Sequence, residues 1–345
     1  MQLFTEYATP AELTGYARAA LQDREENNLS LNRWLPNETI NDLSYRFNRG
    51  GGGLTEAAVY RAYDAESDIG SRGGAARVSG ELPPISRKMP VGEYEQIRMR
   101  NVDTQGEEIR NAMESDSVKL VNAIAARLEL ARGEALFTGA VNLNENNVQA
   151  GVDFGRSASH SVTASTLWSN ADTATAYDDL QAWLEVYNDT NGSLPAVTLM
   201  SRKIYNALRK NKQIRELAFA GSASAPGVLT REGLNAVLGE YDIPPIEIYD
   251  ARVSVAGVAT RVTPEDRLLF LPAQGDSAGR TLWGVPVEAN DPRYGLQGDA
   301  AGVAVGGYKS EDPQTVWTRA TAIALPVLAA PDLTFVASVL DAPSP

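Results

Sequence analysis

The 345-residue chain has no cysteine and a single histidine, His160. Disulfides, thiolate metal sites, cysteine nucleophiles and metal centres built on several imidazoles are therefore excluded. No apolar run reaches the roughly 18 residues that a membrane-spanning helix needs. Residues 1–12 lack the basic start and apolar core of a signal peptide, so the expected product is cytosolic or released by lysis. Positive charge is in deficit: 31 Lys and Arg stand against 44 Asp and Glu, a net charge of −13. That balance opposes a groove built to grip nucleic acid, though not passive confinement of it. The apolar fraction of 43% and charged fraction of 22% are those of an ordinary folded protein, long enough for two domains.

Recognisable catalytic machinery is missing too. His160 lies between Ser159 and Ser161 with no nucleophile elbow nearby, and reads as a solvent-exposed loop residue. The glycines at 50–53 and Gly306-Gly307 lack the strand and helix context of a phosphate cradle. Adjacent acids such as Asp178 and Asp179 point in different directions on a helix and read as solvated surface. No EF-hand spacing occurs. The expectation is a protein that is not an enzyme, with no cofactor and no metal. An enzyme working through carboxylates remains the competitor from a different class.

What the sequence does contain is a long helix over 103–137. Ile109, Met113, Leu120, Ile124, Leu128, Ala131 and Ala135 recur at helical spacing, Glu107 and Glu108 sit in its first turns, and Lys119, Arg127 and Arg132 fall in its later half. Such a rod spans roughly 50 Å and needs something packed along it. Before it, residues 1–45 read as an arm with one helix starting at Pro10, whose Leu31, Trp34 and Leu35 dock elsewhere. Strands at 57–64 and 76–82 read as a long hairpin, with a loose tip at 67–74 and too little apolar surface to be buried by its own chain. Residues 140–170 are polar and Asn-rich, a loop. An α/β segment follows: a helix over 171–187, a strand at 196–200, a helix capped by Ser201 and running through Leu217, and a helix near 233–238. Strands at 246–249, 252–255, 260–262 and 268–271 complete it. Strands at 282–287, 303–308, 315–324 and 333–340 return to the long helix.

This order of parts resembles a tailed-phage major capsid protein of the lambda capsid protein E-like branch. The passages Ala58-Val59-Tyr60-Arg61, Gly80-Glu81-Leu82-Pro83-Pro84-Ile85-Ser86-Arg87-Lys88-Met89-Pro90 and Gly92-Glu93-Tyr94 carry the resemblance. It implies an α+β Hong Kong 97-type fold. The N-terminal arm would be 1–45 and the extension-loop hairpin 46–100. A peripheral domain with the spine helix would occupy 101–154, the axial domain 155–285, and peripheral return strands 286–345. It further implies copies that form pentamers and hexamers and close an icosahedral shell around double-stranded DNA, in the virion, after assembly in the host cytoplasm. The implied partners are other copies, a separate scaffolding protein, a portal and a decoration protein, with no membrane. A bacterial nanocompartment shell enclosing a cargo enzyme is the alternative. Candidate inter-subunit contacts are Ile69, Arg72, Arg77 and Trp34. Some relatives weld subunits through a lysine on the extension loop. Arg72 and Arg77 cannot serve as that nucleophile and Lys88 lies well down the returning strand, so contacts held without covalent links are expected.

Overall fold

The computed structural model describes residues 2–49, 76–99, 105–145, 148–219, 226–274, 278–296 and 301–342. The chain begins with β1 (Gln2–Leu3) and α1 (Pro10–Asn27). Thr9 starts α1 through a capping box: its hydroxyl accepts the Glu12 N–H at 3.3 Å, and the Glu12 carboxylate accepts the Thr9 N–H at 3.0 Å. A 3-10 turn at Ser30–Arg33 leads to β2 (Asn37–Thr39) and β3 (Ser44–Arg49). The arm docks on its own chain. Leu13 and Ala17 are fully buried beside the long helix, and so are Leu31, Trp34 and Leu35 farther along.

β4 (Ala76–Glu81) pairs antiparallel with β3, Ser44 opposite Glu81 and Arg49 opposite Ala76. Among the described residues this strand pairs with 44–49; the strand predicted at 57–64 lies outside the described residues. Tyr45 and Phe47 alternate with polar neighbours over a run too short to stand out in the sequence. They stack at 6.1 Å, and Phe47 reaches Phe154 at 6.3 Å. Gly80 is needed under this base, because a Cβ there would come within 2.4 Å of the Tyr45 phenol oxygen.

Next come β5 (Pro84–Val91), α2 (Glu93–Arg98) and α3 (Gln105–Thr138). α3 is the predicted rod, 34 residues long. Its expected face is buried throughout, with Leu120, Ile124 and Leu128 at the centre, each at most 1% exposed. Burying one such side chain is worth about 1.5–3 kcal/mol. The predicted loop at 140–170 contains a hairpin, β6 (Ala140–Glu145) with β7 (Val148–Asp153), and a short β8 (Ser161–Thr163). Val141 and Phe154 anchor it in the core despite its asparagines.

The α/β segment follows: α4 (Ala176–Asn191), β9 (Val197–Met200), α5 (Arg202–Lys210), α6 (Lys212–Ala218), α7 (Arg231–Glu240), β10 (Ile246–Ile248), β11 (Arg252–Val255), β12 (Val258–Arg261) and β13 (Arg267–Leu271). Ser201 and Thr230 cap α5 and α7. The single helix expected through Leu217 is two helices. Asn211 breaks it, accepting the Ile214 N–H at 3.2 Å and donating to the Ala174 carbonyl at 2.8 Å. The chain ends with β14 (Gly279–Trp283), β15 (Ala304–Glu311), β16 (Gln314–Leu328) and β17 (Phe335–Ser338).

Two sheets organise these elements. One runs β1-β15-β16-β14-β2, with β5 also on β16; the other runs β10-β9-β13-β17-β8. The inner face of β15 and β16 packs on α3 as predicted. β17 differs from prediction: it leaves the return strands and joins β13 antiparallel. β14 lies a few residues earlier than the strand expected at 282–287, and joins β16 among the return strands. Period-two alternation gives the second sheet two buried faces. Leu268, Phe270, Phe335 and Ala337 lie under α4–α7. Leu199, Leu269, Leu271 and Val336 face Leu136 and Phe137 at the end of α3.

Candidate functional site

The most elaborate polar arrangement lies where the arm, α3 and both sheets converge. Glu129 and Arg132, one turn apart on α3, are both fully buried. Arg132 donates from Nη1 to Glu129 at 3.1 Å, from Nη2 to Glu25 of α1 and Asn37 of β2 at 2.7 Å each, and from Nε to Thr281 of β14 at 2.9 Å. Asn37 donates to Glu25 at 2.8 Å and accepts from the Trp283 indole at 3.0 Å. Glu129 also accepts the Leu31 N–H, at 2.9 Å, and the Tyr249 hydroxyl from the segment after β10. Burial, then the neighbouring Glu129 carboxylate, pushes the Tyr249 hydroxyl far up, so it remains a donor. The cluster holds two carboxylates and one guanidinium, all hydrogen-bonded. It is a clamp joining six segments, with its carboxylates and guanidinium all buried.

A second, partly buried group ends α3. Arg156 donates to the Leu136 and Phe137 carbonyls, satisfying the helix C-terminus with a cation. Burial pushes the Arg156 guanidinium down to about 10, opposed by nearby Asp332. His160, expected in solvent, is fully buried. Its Nδ1 lies 3.3 Å from the Thr334 carbonyl and its Nε2 3.0 Å from the Thr190 hydroxyl, and its ring packs on Phe335 at 5.3 Å. Burial depresses its pKa. Sequestered this way, His160 is no general base. Asp179 is not purely solvated either: it accepts from the Trp168 indole at 2.9 Å, and burial raises its pKa.

A cleft of about 270 Å³ between α3, β5 and β16 is lined by Pro84, Ile85, Arg127, Leu128, Ala131 and Pro326 among others. Arg127 is paired with Glu145 at 3.0 Å, and the apolar lining offers no acid and base set for catalysis. Among the described residues no group of three or more His, Asp or Glu side chains is placed to hold a metal ion. Exposed large apolar residues do occur: Tyr94 and Ile97 on α2, Val255 and Val258 at the β11–β12 turn, and Val287.

Of the predicted contact residues, Ile69 and Arg72 lie outside the described residues. Arg77 stands in β4 opposite Asn48. Trp34 is corrected: it is completely buried in its own subunit, because the 3-10 turn tucks it into the core beside Leu31 and Leu35, with the Arg33 guanidinium 4.6 Å above the ring. Lys88 places its ammonium 4.3 Å from the Trp317 ring centre. The Glu25–Arg132–Glu129 cluster went unread in the sequence. Its one signal is that Arg132 continues the buried stripe four residues after Leu128.

The family model described as phage major capsid protein E matches residues 32–339. No curated protein matches the sequence. Among solved structures, a protein described as a prophage capsid protein from Escherichia coli CFT073 is similar with a TM-score of 0.63 at 14% identity, over 96% of this chain and 99% of that one. A phage-related protein from Bordetella bronchiseptica RB50 is similar with a TM-score of 0.56 at 13% identity, over 96% and 98% of the two chains. The shared architecture is the α+β Hong Kong 97-type capsid fold.

Proposed function

The chain belongs to the phage major capsid protein E family, a family of structural shell proteins rather than enzymes, and we propose from that premise how its copies assemble. Membership implies self-assembly into a shell and a place in the virion. In the proposed assembly, pentamers and hexamers close an icosahedral shell that encloses the double-stranded DNA of a tailed phage. Residues 1–45 serve as the arm and 46–100 as the extension loop. The peripheral domain holds α3 as its spine together with the β1-β15-β16-β14-β2 sheet, and the axial domain holds the second sheet with α4–α7. Assembly proceeds in the host cytoplasm with a separate scaffolding protein, a portal, and a decoration protein on the finished shell. The observation that carries this reading is the family match over 32–339. The net charge of −13 is consistent with it, since a shell with few cations holds DNA without binding its phosphates tightly.

Electron microscopy of particles purified from phage-producing cells tests the reading. Closed shells of uniform size containing double-stranded DNA are expected. Shells filled with a protein cargo would replace it with the nanocompartment alternative, and a chain that stays monomeric at high concentration would overturn it.

A further inference from the structure

Helix α2 is turned inside out for a helix that serves only its own subunit. It has six residues and none is buried. At helical spacing Ile97, Tyr94 and Arg98 share one face, Glu93 and Glu95 flank it, and Gln96 lies opposite. The polar Gln96 side is the one that docks. Gln96 Nε2 donates to the Val91 carbonyl at 2.8 Å and the Gln314 carbonyl at 3.3 Å, while the Gln314 N–H donates to Glu93 at 3.1 Å. The helix is thereby clamped to the β15–β16 turn by hydrogen bonds. Its two large apolar side chains face solvent, Tyr94 73% and Ile97 65% exposed. Scattered exposed apolar residues are ordinary on a protein surface. A pair one turn apart, on a helix whose inward side is polar, reverses the usual amphipathic arrangement.

We infer that this face of α2 is a contact between two copies of the chain, related by a two-fold axis with the helices antiparallel. Tyr94 of each copy packs on Ile97 of the other, and Arg98 of each pairs with Glu95 of the other. This rests on the shell reading for the supply of copies. The charges select a second copy as the occupant. Arg98 and Glu95 lie on the same side of the apolar pair, and an antiparallel two-fold brings each cation opposite an anion twice over. A uniformly acidic or basic partner would leave one of the two facing like charge. The patch is small, so a single contact is weak, and repetition around a closed shell gives it effect.

Shell assembly by the full-length chain tests the contact. The double variant Tyr94→Ser/Ile97→Asp changes only exposed side chains, so its thermal unfolding should match wild type while sedimentation shows small oligomers in place of shells. Glu95→Arg and Arg98→Glu should each lower shell yield at low salt by about ten-fold or more. The combined Glu95→Arg/Arg98→Glu variant exchanges the pair on both copies and should restore it. Normal shells from the apolar double variant, or a charge-swapped double no better than either single, would overturn the inference and leave the shell reading standing. If wild type itself forms no shells, the shell reading fails instead. Sedimentation equilibrium then decides the contact: self-association weakened in Tyr94→Ser/Ile97→Asp supports it, and association equal to wild type overturns it.

Discussion

α3 and α2 are neighbours in the sequence and dispose of their side chains in opposite ways. α3 turns Leu120, Ile124 and Leu128 inward, and carries two charged residues, Glu129 and Arg132, into the interior with them. α2 turns a glutamine inward and leaves Tyr94 and Ile97 in solvent. Hydrophobicity alone does not separate the two. What differs is the partner each was shaped against: α3 meets α1, β16 and the second sheet of its own chain, whereas α2 is hydrogen-bonded to the end of β5 and the β15–β16 turn. A buried charge on α3 is tolerable because Glu25, Asn37 and Thr281 complete it. The exposed apolar pair on α2 has no such completion among the described residues. Substitutions on α3 should therefore act on folding, and those on α2 on assembly.

The largest expected effect breaks the clamp. Arg132→Met leaves Glu25 and Glu129 buried without their counter-charge, which should cost about 3–5 kcal/mol of subunit stability by chemical denaturation. Tyr94→Ser, measured in the same way, should stay within about 0.5 kcal/mol of wild type. Restoring much of the loss by adding Glu25→Gln and Glu129→Gln to Arg132→Met would show that the stranded carboxylates, rather than lost packing, carry the cost. Equal stability of Arg132→Met and wild type would erase the contrast between the helices.

A smaller effect sharpens the same contrast within helical segments. Alanine usually replaces glycine inside a helix with a gain of about 1 kcal/mol. At Gly133 of α3 a Cβ would come within 2.2 Å of the Val262 backbone carbonyl, next to β12, so the helix or that segment must move. Gly133→Ala should instead destabilise by about 1–3 kcal/mol. Gly239 of α7 has nothing within 4 Å of its would-be Cβ, and Gly239→Ala should show the ordinary gain. A stabilising Gly133→Ala would mean that the spine and the β11–β12 hairpin are less closely packed than the structure places them.

Local signals were legible in the sequence, and non-local ones were not. The rod at 103–137 and the cap at Ser201 are readable because spacing and a hydroxyl before a helix are properties of adjacent residues. Arg132 read as an ordinary cation in the favourable half of a helix. Its real surroundings, Glu25 and Thr281, lie 107 and 149 positions away. The strand at 44–49 goes unread because Tyr45 and Phe47 are set among polar residues, and β17 reads as part of the wrong sheet because pairing with β13 leaves no mark in either strand. Trp34 read as a surface anchor, since nothing local says that the arm folds back. As for the contact surface, Gly92-Glu93-Tyr94 stands out in the sequence as part of the family resemblance, but the outward turn of Tyr94 depends on Gln314, far along the chain.

The last and smallest effect concerns His160, another group misread for non-local reasons. Its ring meets the Thr334 carbonyl 174 positions away and the hydroxyl of Thr190, with Arg156 and Asp332 as its charged neighbours. Burial lowers its pKa from the usual 6.5, Asp332 opposes that shift and Arg156 reinforces it. In the folded chain the imidazole is thus held neutral at a pH where the unfolded chain would already bind a proton. Between the depressed folded value and 6.5 the unfolded state carries more protons, so stability rises with pH across that window. The contribution is complete above the unfolded value, declines as pH falls below it, and is gone once pH passes below the folded value. As the sequence holds no other histidine, this window is nearly free of other side-chain titrations. His160→Gln retains an amide to meet Thr190 but no titrating group. Its unfolding midpoint should be flatter against pH than that of wild type from pH about 6.5 downward, until the carboxylates begin to protonate. Variants of α2 such as Tyr94→Ser should leave the wild-type slope intact, and equal slopes in wild type and His160→Gln would mean that the imidazole is not held neutral in the fold.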